Sequence, residues 1–336
     1  MPELTVASSG VKALLEFAVS RGADRRALTQ LAGLDTAAIE ERDGRIPFPR
    51  YVALMRAAQE LCSDPALALH FGAEVDTSEI SFSHQIGAPS LTEALGVVNR
   101  YAPLTVEVEK EGSDRYVLSH IGGQLWMIDT RKNANEFPEL TESSFARMVC
   151  TGRKLLAGKS MVKSVHVTHA EPVYREDYDD VFRVPVIFGS DKNALLLDDA
   201  VLSFKPPTTP AYVAELLREH AEGLLEQLES SKSARGRVER LLVTRLTDGD
   251  VRMEAVASEL GYSRQTLFRR LKSEDVTFEK VLDDLRHRLA LHYLNGGRKS
   301  INQTAYLIGF SDPAAFSRAF KRWTGSSPRT HVSAHR

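Results

Sequence analysis

Nothing in this chain restricts its fold more than an internal repeat in its last third. MEAVASELGYS (253–263) and INQTAYLIGFS (301–311) align without a gap at an offset of 48. Apolar or small residues fall at Met253, Val256, Ala257 and Leu260, and again at Ile301, Thr304, Ala305 and Ile308. That spacing predicts a helix in each copy. Each helix runs into a glycine, Gly261 or Gly309, which enters the left-handed region without a side-chain clash. Tyr262 or Phe310 follows, then Ser263 or Ser311, and a second helix begins. SRQTLFRRLK turns Leu267 and Leu271 inward. SDPAAFSRAFKRW turns Phe316 and Phe320 inward, with Pro313 in the opening turn where its missing N–H costs nothing. The offset here is 49, so Arg269 matches Arg318. Helix, glycine turn, helix, twice over, is helix-turn-helix grammar.

Between the copies, FEKVLDDLRHRLALHYL sets Phe278, Val281, Leu282, Leu285, Leu289 and Tyr293 or Leu294 on one helical face, and Asn295-Gly296-Gly297 ends it. Such a helix spans ~25 Å. With the width of the two units added, their second helices fall about one DNA turn apart, ~34 Å. One monomer then reads two successive major grooves on one face of the duplex. Charge agrees with this. Residues 231–336 carry 20 Lys and Arg against 11 Asp and Glu, whereas residues 1–230 carry 23 against 34, so a net charge of −2 hides a basic segment on an acidic body. The basic segment alone calls for an anionic partner.

At 336 residues the chain exceeds what one core usually serves, so more than one domain is expected. The boundaries read as 1–205 for an N-terminal domain, 206–234 for a linker with an amphipathic helix, and 235–336 for the basic domain with the two helix-turn-helix units. The first hundred residues read as short helices, including one opened by Asp64-Pro65 and one capped by Ser90. TVEVE and RYVLSHI form a predicted hairpin about Glu111-Gly112-Ser113-Asp114. The helix after it carries Phe137, Leu140, Phe145, Met148, Val149, Leu155 and Leu156 on its apolar side. SVHVTH, PVIF and ALLLD read as strands, so the N-terminal domain is α+β, helices packed on a small sheet, and the C-terminal domain is all-α. PPTTP (206–210) breaks the chain. The next helix aligns Val213, Leu216, Leu217, Leu224 and Leu228, a face that either packs on its own domain or forms a dimer seam. SSKSARGR reads as a polar hinge.

Residues 235–332 resemble the AraC/XylS transcription regulators. GFSDPAAFSRAFKRWTGSSP (309–328) is similar to the signature of that family's second unit and GYSRQTLFRRLK (261–272) to its first. Two residues depart from the pattern: Asp275 stands where glycine is common, and His331 where an aromatic usually follows the proline by three. Residues 1–205 resemble the arabinose-binding-like sensory domain of the subgroup related to ornithine-utilisation and mycobacterial virulence regulators, through LALHFG, SLTEALGVVNRY, VHVTHAEP and VIFGSDKNALLLDDAVL.

The resemblance implies that Gln265, Phe268 and Arg269 face the groove in the first unit, with Ser263, Arg264 and Lys272 beside them. In the second unit the set is Pro313, Ala314, Ala315 and Arg318, with Lys321 and Arg322 further along. Gln suits adenine and Arg suits guanine, so the first unit supplies more base-specific bonds and the second leans on phosphates and shape. Phe268 has the alternative of closing the local core. Arg270, Arg286, Lys321 and Arg322 read as phosphate partners or a solvated basic face. Phe82, His84, Tyr101 and Trp126 are the candidates for an effector pocket, with plain core as their alternative.

Expected partners are double-stranded promoter DNA, a small-molecule effector, RNA polymerase and, through the amphipathic helix, a second copy. No cofactor, metal or membrane is expected. Cys62 and Cys150 form no paired motif, and MPELTVASSG lacks a secretory pattern, so a cytoplasmic location is expected. Catalysis is not expected. GRKLLAGKS has five residues between its glycines where a phosphate loop has four, and no nucleophile elbow or zinc-protease motif occurs. A ligand-independent DNA-binder and a DNA-modifying enzyme on the same module are the rival classes.

Overall fold

Short capped helices and one tight hairpin organise the N-terminal half. The computed structural model describes residues 4–41, 43–76, 86, 88, 90–156, 160–205, 209–246, 251–295 and 299–334. Two compact units, Met1–Leu225 and Glu226–Arg336, divide within one long helix.

The first unit opens with β1 (Thr5–Ala7), which pairs antiparallel with β2 (Arg45–Pro47). Around this ribbon lie α1 (Ser8–Ser20), α2 (Arg25–Leu31), α3 (Thr36–Glu40), α4 (Phe48–Leu61) and α5 (Leu67–Glu74). Asp24 and Asp35 accept the N–H of Ala27 and Ala37 and so start α2 and α3. Val11, Leu14, Leu15, Leu54 and Met55 form the local core. The expected Asp64 start shifts by two residues: Asp64 accepts the N–H of Ala66 at 3.0 Å, and the helix begins at Leu67. Ser90 caps α6 (Leu91–Thr105) as the sequence predicts.

A five-stranded sheet follows in the order β3-β4-β7-β5-β6, antiparallel except for β5 with β6. Its strands are β3 (Tyr116–Ile121), β4 (Gln124–Asp129), β5 (Val162–His166), β6 (Val186–Ile187) and β7 (Asn193–Leu197). The predicted hairpin is corrected here. RYVLSHI turns back at Gly122-Gly123 (φ +60° and +73°) and pairs with QLWMID. Two successive left-handed residues make the turn whose twist matches the strands, and Gly-Gly reaches it without strain. TVEVE instead ends α6 at Thr105, while Val106 bridges Val6.

The inner sheet face buries Leu125, Met127, Val165, Leu195 and Leu197 against Phe145 and Val149 of α7 (Pro138–Leu155) and Tyr178 and Phe182 of α8 (Arg175–Phe182). Gly72 of α5 lets the α7 backbone approach, since a Cβ there would stand 2.3 Å from the Ser143 carbonyl oxygen. The expected apolar side of α7 ends early: Leu155 is 50% exposed, while Glu142 is buried in line with Phe145 and Val149.

Helix α9 (Ala211–Lys232) packs Leu217 and Ala221 beside Ile86 and Tyr101, but leaves Leu216 65% exposed. Leu216 lies one residue off the inward 217–221 line, so the predicted stripe is not one face. The expected hinge is also corrected. Only Ser233 interrupts the helix, because its side chain accepts the Gly236 N–H and starts α10 (Ala234–Arg245) at once.

Candidate nucleic-acid interface

In the second unit α11 (Met253–Glu259) meets α12 (Arg264–Ser273) across Gly261, φ +70°. Ser263 accepts the N–H of Thr266 at 3.1 Å and sets the start of α12. Leu267 and Leu271 are buried, so Arg264, Gln265, Phe268, Arg269 and Lys272 face outward. Phe268 is 53% exposed and does not close the core. Arg264 is held by Glu254 at 2.8 Å. Arg270 lies elsewhere, 4.5 Å over the Tyr262 ring, which also sits under Arg237.

The second copy repeats this with α14 (Ile301–Leu307), Gly309 at φ +77°, and α15 (Pro313–Thr324). Asp312 caps α15 through the N–H groups of Ala314 and Ala315, with Pro313 in the first turn. Phe316, Ala319 and Phe320 are buried. Ala314, Arg318, Lys321 and Arg322 are exposed, and Pro313 and Ala315 are half-buried. Arg322 reaches Asp283 at 2.6 Å and Arg318 lies 4.0 Å from Asp312. Both second helices therefore present a polar face opposite a buried apolar one. His331, in α16 (Pro328–Ala334), keeps its ring against Phe320 at 5.4 Å and fills the place the family gives an aromatic.

The connecting helix α13 (Phe278–Asn295) belongs to the cores of both helix-turn-helix copies. Phe278, Val281 and Leu285 pack with the first copy, Ala290 and Leu294 with the second, and Leu289 touches both. A helix buried at both ends acts as a rigid spacer of ~27 Å. Arg286, expected among the phosphate partners, is corrected to a structural role: it donates to the carbonyls of Ile308 and Gly309, both at 3.0 Å, and covers Phe310. The guanidinium fork satisfies carbonyls that the end of α14 leaves open, and burial pushes its pKa down. Glu274, at the end of α12, accepts the N–H of Ala234 (2.6 Å) and Arg235 (3.0 Å) and ties the reader to the start of α10. Sequence reading missed both arginine and glutamate roles, since each joins helices distant in the chain.

Asp275 explains its own departure from the family pattern. It holds φ +52°, a left-handed position that costs most side chains about 1–2 kcal/mol. Asp275→Gly is expected to stabilise the second unit by about 0.5–1 kcal/mol, read as a higher denaturant midpoint. A lower midpoint would contradict that account.

Of the four effector candidates, the two that are described, Tyr101 and Trp126, stand in different parts of the first unit. Phe82 and His84 lie outside the described residues. Tyr101 is buried beside α9 and donates to Glu222 at 2.8 Å. Trp126 stands on the other side of the sheet from Leu125 and Met127, edge-on to His166 and under Lys192.

Residues 22–205 match the arabinose-binding domain of AraC transcription regulators, an N-terminal domain, and residues 256–333 match a helix-turn-helix domain. The chain belongs to the AraC transcription regulators. This AraC-family chain is 28% identical to the ornithine utilization regulator of Pseudomonas aeruginosa over 326 residues, 96% of this chain and 95% of the relative. It is 26% identical to VirS of Mycobacterium tuberculosis over 198 residues, 57% of this chain and 55% of that one. With the transcriptional activator RhaS of Escherichia coli it shares 36% over 115 residues, 34% and 41% of the two chains. It is thus a DNA-binding transcription regulator of the AraC type. No helix among its described residues is long and apolar enough to cross a membrane.

Proposed function

We propose that one copy of this regulator lays α12 and α15 into successive major grooves of promoter DNA, and that a small molecule held by the first unit changes how firmly it does so. The observation that carries the DNA reading is α13, whose two ends are buried in the two helix-turn-helix cores. In this reading Gln265 and Arg269 contact bases, Phe268 meets a thymine methyl, and Ser263, Arg264 and Lys272 border the contact. In the second unit Arg318 is the strongest donor, Pro313, Ala314 and Ala315 offer shape, and Lys321 and Arg322 meet phosphates. The effector must bind the DNA-engaging and disengaged states unequally. Activation is the preferred outcome, which makes RNA polymerase the second macromolecular partner. A second copy is the natural cover for the exposed Tyr212 and Leu216. The regulator acts in the cytoplasm, and the reading assigns it no catalytic step.

Binding titrations over single-base variants test the contacts. Gln265→Ala is expected to lose discrimination at one base position, at a cost of ~1–3 kcal/mol. Lys321→Ala should weaken every sequence alike and lower the salt dependence by about one ion. A uniform loss for both variants would overturn the division of roles.

A further inference from the structure

At one end of the sheet in the first unit, a groove of about 620 Å³ opens between β4, β7 and the short turn that precedes α7. Its floor is polar and built by strand register. Asp129 and Asn193 are direct partners across β4 and β7, and both are buried, at 6% and 5% exposure. The Asn193 amide is oriented by a neighbour: the Thr168 backbone N–H donates to its oxygen at 2.9 Å, while the Thr168 hydroxyl donates to the nearer Asn135 oxygen at 2.6 Å. Its NH2 group, at the floor of the groove, has no acceptor among the described residues.

The charges lining the groove do not balance. Asp129 is held by Arg115 at 3.2 Å, and Asp191 by Lys192 at 3.1 Å. Arg131 donates to the carbonyls of Ala134 and Phe137 and the Thr141 hydroxyl, neutral acceptors that leave its positive charge in place, so with Arg115 counted the carboxylates of Glu111, Asp129, Glu136 and Asp191 exceed the cations by one. Glu111 and Glu136 also line the groove and form no ion pair among the described residues. Only Ile128 and Ala134 are apolar there, so an aromatic or lipid-like ligand gains little burial.

We infer that this groove is the effector site, and that its ligand is a small amino compound of the amino-acid kind. Its ammonium group is drawn by Glu111 and Glu136, and its carboxylate oxygen accepts from the Asn193 amide. The inference rests on the reading of the first unit as an effector sensor. It locates the site away from Tyr101 and gives the ligand a polar class.

The test uses the full chain with L-lysine, L-alanine, L-glutamate, 1,4-diaminobutane and D-glucose as probes, followed by calorimetric titration and by affinity for promoter DNA. Asn193→Asp keeps the acceptor that Thr168 needs but replaces the NH2 donor with a second negative oxygen. Glu136→Gln lies on the exposed rim and leaves the fold alone, so it carries the test if the first variant fails to fold. At least one amino acid among the probes should bind, at least fivefold more weakly in each variant. Failure of every amino acid to bind, or equal binding by wild type and variants, overturns the site. Binding of glucose that Asn193→Asp abolishes overturns the ligand class. If an amino acid binds as expected but promoter affinity stays constant, the groove stands and the effector reading fails. If a molecule outside this class alters promoter affinity equally in wild type and both variants, the effector reading stands and the groove fails.

Discussion

Replacing Gly309 with alanine is expected to destabilise the second unit by about 3 kcal/mol, whereas the same change at Gly261 should cost about 1 kcal/mol. The two glycines occupy equivalent turns and both hold positive φ, so each substitution incurs the left-handed penalty. They differ in their surroundings. A Cβ on Gly261 meets nothing within 4 Å, but one on Gly309 stands 2.8 Å from the Leu246 carbonyl oxygen and 3.3 Å from its side chain. Backbone cannot swing aside as a flexible side chain can. Relief requires the α14–α15 turn to move off α10, which pulls on the Arg286 bonds at the same turn. Gly309→Ala should therefore lose DNA affinity even at temperatures where it stays folded. Denaturant midpoints for the two variants check this, and equal losses would contradict it.

Glu142→Gln is expected to remove a pH dependence on the order of 3 kcal/mol from the stability of the first unit. Burial pushes the Glu142 carboxyl up to about 7, against an ordinary value of 4.5. Hydroxyl donors Tyr174 (2.8 Å) and Tyr178 (2.7 Å) act against that shift without cancelling it, and Oε2 has no partner among the described residues. A raised carboxyl favours the folded state below pH 4.5, where both states hold the proton. The advantage drains away as pH rises, because the unfolded chain ionises first, and it is gone above about pH 7. His169, in contact with Tyr178 at 3.0 Å, is pushed down by burial and works with the opposite sign, losing stability as pH falls. Since His169 is present in both proteins, the difference between wild type and Glu142→Gln isolates the glutamate. Wild type should fall relative to the variant between about pH 4.5 and 7, and parallel profiles would contradict the assignment.

How much of this is legible in the chain varies with the range of the interaction. Local chemistry reads well. The repeat spacing, the glycine turns at 261 and 309, the Ser90 and Ser263 caps and Pro313 in an opening turn all appear where the sequence places them. Glu142 was within reach too, because it shares the helical line of Phe145 and Val149 and an acid on such a line is a signal in itself. The Gly122-Gly123 hairpin was also available, but the longer Glu111–Asp114 turn drew the pairing away. The long-range partnerships were not legible. No local pattern joins Arg286 to Gly309, Glu274 to Ala234, or Asp129 to Asn193, because each meeting depends on packing or strand register far along the chain. The groove is of this kind, since its floor exists only because β4 and β7 pair in this register.

The most direct test of the central claim is selection of a random duplex pool by the full-length chain. Two short blocks with centres about 10 base pairs apart are predicted within the footprint of one copy. Inserting five base pairs between them should then reduce affinity to that of a single block, because α13 cannot stretch or turn to follow. Recovery of one block alone, or affinity unchanged by the insertion, would contradict a rigid pair of readers on one face of DNA.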